Sequence, residues 1–226
     1  MLKFEEEHKK LRSNLRNQKA IDFLEKRSAF TRSFLEQSNV AFVSKEDLLK
    51  MPKEVKSFLA LNESYADRLL FPTFIANGEF SGYIGRSIDE GPAKYQLPQH
   101  FLFEKQTAIL GLNDIFTKDY CFVTENIFEW IRVKECGFQA ISLNGAYQSE
   151  YKRQIIATLF NKGVVIMITD NDKAGLDLRN YFAEFLDNEN ILNDYVSHTE
   201  KGLDEFFVKN GKEATTKLLN TCLNNF

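Results

Sequence analysis

VVIMITDNDKAG, residues 164–175, is a run of apolar, mostly β-branched residues that stops on two aspartates one residue apart, Asp170 and Asp172. The run reads as a buried β-strand. Two ionised carboxylates about 5 Å apart repel by roughly 3 kcal/mol at an effective dielectric of about 20. A divalent cation would offset that repulsion. The plainer reading is a turn in which Asp, Asn and Gly end a strand. A calcium loop also begins D-x-D-x-x-G, but its fifth and twelfth ligand positions here are Ala174 and Tyr181, so that loop fails twice.

Outward from this stretch the rhythm is strand, helix, strand. CFVTE (121–125) reads as a short strand and NIFEWIRVKECG (126–137) as a helix ending near Gly137. FQAISLNG (138–145) follows as a strand and SEYKRQIIATLFNKG (149–163) as a helix, and GLDLRNYFAEFLDN (175–188) is the helix after the Asp170 strand. Such alternation predicts an α/β fold, a parallel sheet flanked by helices. Continuous apolar strands predict that both faces of the sheet are covered.

Ligands of open parallel sheets sit at the carboxyl ends of the strands. Glu125 ends the first strand and Asp170 the third, with Asp172 just past it. Glu129 stands one helical turn after Glu125 on the same face, and Asp204 in EKGLDEFF is a later acidic candidate. An all-oxygen ligand set favours Mg²⁺ or Mn²⁺ over zinc. The matching Glu125 makes the turn-only reading of Asp170 and Asp172 much the weaker one.

Other functional classes find little support. The three cysteines, Cys121, Cys136 and Cys222, form no C-x-x-C pair, and His8, His100 and His198 are scattered without metal-ligand spacing. No run reaches the ~18 apolar residues of a membrane span, and the charged start MLKFEEEHKK has no signal-peptide core, so a cytoplasmic protein is expected. Residues 1–110 hold 17 Lys and Arg against 15 Asp and Glu, whereas residues 111–226 hold 12 against 17. A basic half beside an acidic half suits a protein that holds a polyanion on one lobe and metal ions on the other. The basic half reads as helices over 3–36 and again over 45–62, the latter broken near Pro52. A β-hairpin is expected around Asn77-Gly78 in LLFPTFIANGEFSGYIGRSI (69–88), then a Pro/Gly loop in GPAKYQLPQHF (91–101).

VTENIFEWI, SLNGAY and MITDNDKAGLDL, in this order and spacing, resemble the TOPRIM domain shared by bacterial DnaG-type primases, topoisomerases and some nucleases. The DnaG-type primase catalytic core fits best, because the resemblance continues upstream. AIDFLEKRSAFTRSFLEQSNVAF, LLFPTFIANGEFSGYIGRSID, GPAKYQLP and FLFEKQTAILGL are similar to successive primase motifs, and KGLDEFFVKNGKEA to the segment after the D-x-D strand. The resemblance spans residues 20 to about 220. It implies a TOPRIM-type sheet at 113–200, preceded by a smaller α+β nucleic-acid- and nucleotide-binding lobe at 1–112 and followed by a helical segment at 201–226.

The resemblance also implies roles. Glu125, Asp170 and Asp172 would be the catalytic residues and hold the metals, with Glu129 and Asp204 as further acidic contributors. Arg86, Lys94 and Lys105, with Arg27 and Tyr95 beside them, would contact nucleotide phosphates and template. Tyr83 could stack on a base, although simple packing is the stronger reading. The implied activity is that of a DNA-directed RNA polymerase of primase type, a nucleotidyltransferase making short RNA primers on single-stranded DNA from ribonucleoside triphosphates. A replicative helicase and a separate zinc-binding module are the implied partners, since no cysteine-rich domain precedes residue 20 and nothing helicase-binding follows Phe226. A core cut from a longer chain and a stand-alone protein both remain open.

Four departures point to a diverged relative, of phage or plasmid type. Asn126 replaces the usual Gly after the strand-end Glu, and Asn171 the middle Gly of D-G-D. Gly202 stands where D-P-D has its first carboxylate, and Ala93 is an extra residue within P-K-Y. Two rivals stand beside the primase reading. A TOPRIM-type metal-dependent nuclease would use the same carboxylates but leave the upstream hairpin and basic residues unexplained. A non-catalytic primase-like binding module would fit the loss at Gly202, against retention of Glu125, Asp170 and Asp172.

Overall fold

The computed structural model describes residues 2–26, 39–75, 78–89, 93–97, 109–145 and 149–226. Arg27 and Lys105 lie outside the described residues, as does Asn77 of the expected hairpin turn. The chain divides into two compact units, Met1–Ala108 and Ile109–Phe226.

The first unit is helical and antiparallel. Helices α1 (Leu2–Ser13) and α2 (Gln18–Lys26) precede strand β1 (Ala41–Val43). Two short helices follow, α3 (Lys45–Lys50) and α4 (Lys53–Phe58), and Pro52 separates them as the N-cap of α4. Pro suits that place because it has no N–H to leave unpaired. Ser44 closes a reciprocal capping box with Asp47 at the start of α3. Strands β2 (Arg68–Phe74) and β3 (Phe80–Ser87) form the expected hairpin, with Leu70 opposite Gly85, while β1 pairs with β2 and the two-residue β4 (Tyr95–Gln96) with β3. Phe4 and Leu11 of α1 pack on Val43, Leu70, Phe74 and Tyr83.

α1 is fastened by a polar contact inside this core. His8 donates from Nε2 to Asn39 O at 2.9 Å and accepts at Nδ1 from the Tyr83 hydroxyl at 2.8 Å. Tyr83 is therefore a fully buried core residue with no face for a base. Burial pushes the His8 pKa from 6.5 down to about 4. A base with a depressed folded pKa stabilises the fold above 6.5, and this contribution is lost as pH falls towards 4. Stability should thus fall by about 3 kcal/mol between pH 7 and pH 4 from this group alone. Urea melts of the protein and of His8→Leu at both pH values check it, the variant losing that share of the pH dependence.

The second unit alternates as its sequence does. In order come β5 (Ile109–Leu110), β6 (Tyr120–Thr124), α5 (Ile127–Glu135), β7 (Ala140–Ser142), α6 (Glu150–Leu159), β8 (Val164–Ile168), α7 (Lys173–Asn188), β9 (Leu192–Tyr195) and α8 (Leu203–Leu223), the last broken at Gly211. The strands run β5-β7-β6-β8-β9 across a mixed sheet. β7, β6, β8 and β9 are parallel, and β5 is antiparallel on β7. Cys121, Val123, Val165 and Met167 pack with Ile156 and Phe160 of the α6 segment and Leu178 and Phe182 of α7. The intervening Phe122 and Ile166 point to the other face and are also fully buried. Both faces are covered, which is why these strands show no polar alternation. Among the described residues, no helix is long and apolar enough to cross a membrane.

Candidate active site

The strand order fixes where a site can form. From β6 the chain crosses to β7 on one side, and from β8 to β9 on the other. The crevice between β6 and β8 is thus the topological switch point, where α/β sheets bind ligands at the carboxyl ends of their strands. Glu125 follows β6 and Asp170 follows β8. The Glu125 N–H donates to Ile168 O at 2.9 Å, and its carbonyl accepts from Gly145 N at 2.8 Å. Its backbone is held between the ends of β8 and β7. The Asp170 N–H in turn donates to Glu125 Oε2 at 3.3 Å.

Helices α5 and α7 start at this edge, and their positive N-terminal ends moderate the crowding of carboxylates. Asn126 is the N-cap of α5, accepting from Phe128 N at 3.0 Å and Glu129 N at 3.1 Å. Its backbone is extended, at φ −127°, so glycine is not needed there. Asn126 thus caps α5 without demanding any shift of Glu125. Asp172 is the N-cap of α7 and accepts from Gly175 N at 3.1 Å.

Glu129 is 0% exposed. Its Oε1 accepts from Leu203 N at 3.2 Å, and its Oε2 has no hydrogen-bond partner. Burial, then the Asp170 charge, hold its carboxyl well above the usual range. Burial likewise raises Glu125; the Asp170 N–H partly opposes this, and the Asp170 and Asp172 charges add to the rise. Asp170 is raised by burial, with Lys201 pulling it down and Asp172 pushing it up. Gly202 closes the group from the start of α8. A Cβ there would lie 2.7 Å from Asp170 Oδ1 and 3.1 Å from Glu129 Oε1. With no side chain at Gly202, these two acids sit against the backbone.

Glu125, Glu129, Asp170 and Asp172 therefore share one edge, but Asp204 is engaged elsewhere. Its Oδ1 accepts from Arg132 Nε at 2.7 Å, and Arg132 also pairs with Glu135 at 3.0 Å, so the buried arginine ties α8 to α5. Sequence reasoning misses two residues at the edge. Lys201 Nζ lies 3.7 Å from Asp170 Oδ2 and 3.8 Å from Asp172 Oδ2. Asn171 donates from its amide side chain to His198 O at 2.8 Å and Glu200 O at 2.7 Å. A third, Lys152 at the start of α6, is buried and donates to Leu143 O at 2.8 Å, its pKa lowered by burial to about 8.

An all-carboxylate donor set with an orphaned, buried Glu129 Oε2 fits a hard divalent cation in its chemistry. Among the described residues, however, no three His, Cys, Asp or Glu side chains converge closely enough to hold an ion as they stand.

The first unit carries the basic candidates. Arg86 is largely buried, its guanidinium 5.4 Å from the Phe23 ring centre and 5.2 Å from that of Tyr95. It donates to Ser87 O at 2.8 Å and Lys94 O at 3.4 Å. Arg68 Nη1 and Ser87 N also donate to Lys94 O, at 3.3 and 2.9 Å. The Lys94 backbone is thereby pinned while its side chain, like Tyr95, is exposed.

No family model matches the chain. Its sequence is similar to the DNA primase of Helicobacter pylori strain J99, 30% identical over 134 residues, which are 56% of this chain and 22% of that protein. The chain thus spans about a fifth of the length of that curated relative. The structure is similar to the Aquifex aeolicus primase with its zinc-binding and RNA polymerase domains, at a TM-score of 0.77 and 20% identity, covering 95% of this chain and 60% of that one. It is also similar to a DnaG primase catalytic domain bound to single-stranded DNA, at a TM-score of 0.72 and 17% identity, covering 95% and 75%. The chain has an α/β fold of the class found in DnaG primase catalytic cores. Its curated sequence relatives are DNA primases.

Proposed function

We propose that the chain is a primase-type catalytic core, a nucleotidyltransferase that makes short RNA primers on single-stranded DNA from ribonucleoside triphosphates. One observation carries this reading: Glu125 and Asp170 meet across the β6–β8 switch point, with Glu129 and Asp172 beside them, on a fold of the primase core class. The TOPRIM-like segment would hold Mg²⁺ or Mn²⁺ through Glu125, Glu129, Asp170 and Asp172. When bound, such ions lower the pKa of an attacking 3′-hydroxyl and neutralise a leaving pyrophosphate. Asp204 supports the site through Arg132.

The chain's own residues supply placement and charge. Lys94, with Arg27 and Lys105 in the same basic set, holds triphosphate and template backbone by charge. Arg86 acts mainly by positioning, since it fixes the backbone of Lys94 and the ring of Tyr95. Tyr95, 40% exposed, offers a ring for a base to stack on. A zinc-binding module and a replicative helicase are the partners such a core works with, in the cytoplasm where its template lies.

The test mixes the protein with single-stranded DNA, labelled ribonucleotides and Mn²⁺, with Asp170→Asn as control. New short oligonucleotides that are absent with the variant are expected. Shortened DNA would replace the polymerase reading with the nuclease one. If neither appears, even with a primase zinc-binding domain added in trans, the chain is a binding module.

A further inference from the structure

We infer that Lys201 is the resident cation of the Asp170–Asp172 pair, and that a divalent metal ion settles there by displacing it. The inference deepens the metal-binding reading above and rests on it. The Lys201 ammonium stands almost equally far from the two aspartates, 3.7 Å from one Oδ2 and 3.8 Å from the other. A metal ion placed to neutralise the same pair would answer the same charge.

The lysine is held there by the residue between those aspartates. The Asn171 N–H donates to Lys201 O at 2.6 Å, and its side-chain amide donates to the carbonyls of His198 and Glu200. In Asp-Asn-Asp the outer residues thus engage the lysine side chain while the middle one fastens the lysine backbone. The neighbouring orphan, Glu129 Oε2, is a buried carboxylate oxygen for which no Lys201 contact is made, so the lysine leaves part of the acidic edge unanswered. Lys201 is 59% exposed along its side chain, and such exposed pairs are weak and readily broken. A weak cation tethered by its backbone suits a placeholder: it quiets carboxylate repulsion in the metal-free protein and swings into solvent when a stronger cation arrives.

The experiment titrates Mn²⁺ into the full chain without DNA or nucleotide, followed by electron paramagnetic resonance and calorimetry. Lys201→Met should tighten Mn²⁺ binding about three- to tenfold, the scale of two exposed ion pairs removed. Lys173→Met, which removes the same charge from the residue after Asp172 but breaks no ion pair among the described residues, should change it less than about twofold. Lys201→Met should also lower the melting temperature of the metal-free protein and gain a larger upward shift from Mn²⁺. Equal or weaker binding by Lys201→Met, or an equal gain with Lys173→Met, overturns the inference and leaves the metal site standing. If the unaltered protein binds no Mn²⁺, or Asp170→Asn binds it as tightly, the metal-site reading fails and this inference falls with it.

Discussion

Asp170→Asn and Glu125→Gln are each expected to cut primer synthesis by about a thousandfold or more, since even outer-shell partners of metal ligands cost about 10- to 100-fold. Neither should unfold the protein. Both carboxyls are raised above their ordinary values, with burial as the leading cause. A carboxyl whose folded pKa is raised contributes stability that is fully present below its unfolded pKa and is lost as pH rises through the folded value. At neutral pH the ionised pair therefore weighs against the metal-free fold. The neutral amides keep the shape and remove the charge. In Glu125→Gln the side-chain carbonyl can still accept from the Asp170 N–H that reaches Glu125 Oε2 in the parent. Thermal melts without metal should show each variant at least as stable as the parent and less dependent on pH as it rises above the ordinary carboxylate range. With saturating Mn²⁺ the order should reverse, because only the parent gains the stabilisation of a bound ion. A metal-free Asp170→Asn that melts well below the parent would make Asp170 a structural residue, with Lys201 its structural partner.

The acidic edge was legible in the sequence because strand ends and carboxylates coincide there. A continuous apolar run needs burial on both faces, and where it stops on Glu125 or Asp170 the chain must be leaving the sheet at its carboxyl end. The contacts that complete the edge are different. Lys201 meets Asp170 and Asp172 across a long stretch of chain, by way of a loop whose only local marks are Gly202 and scattered charge. Periodicity is blind to such pairings. β9 escapes a sequence reading for a related reason: Leu192 and Tyr195 at its ends are exposed, so no apolar run announces it. Arg86 shows the converse. Its place in the hairpin suggests a surface cation, but the fold buries its guanidinium between Phe23 and Tyr95. Gly202 reads as a lost ligand, and its close approach to Asp170 and Glu129 is visible only once the chain is folded.

Gly175→Ala should have the second large effect, and its sign runs against ordinary helix propensity. In an exposed helix interior, Gly to Ala stabilises by about 1 kcal/mol. Gly175 lies in the first turn of α7, where the helix closes onto the strand end. A Cβ built there would sit 2.1 Å from the Asp170 carbonyl oxygen and 2.9 Å from the Asp170 N and carbonyl carbon. All three are backbone atoms, so no rotamer change relieves the overlap. Either the α7 N-terminus lifts away or the Asp170 backbone moves. Lifting α7 breaks the cap from Gly175 N to Asp172 and opens the packing of Leu178 on the sheet. Moving Asp170 displaces one of the two acids that define the edge. Overpacking of this kind costs about 2–3 kcal/mol, to be read from urea melts against Lys173→Ala, an exposed change in the same turn that should cost almost nothing. Primer synthesis should fall with it, and should stay low at temperatures where the variant is still folded, because the displaced Asp170 backbone persists in the folded state. Full activity in a destabilised Gly175→Ala would mean that the helix yields and Asp170 does not. The glycine of DNDKAG would then serve the packing of α7 alone, and not the placing of the acid.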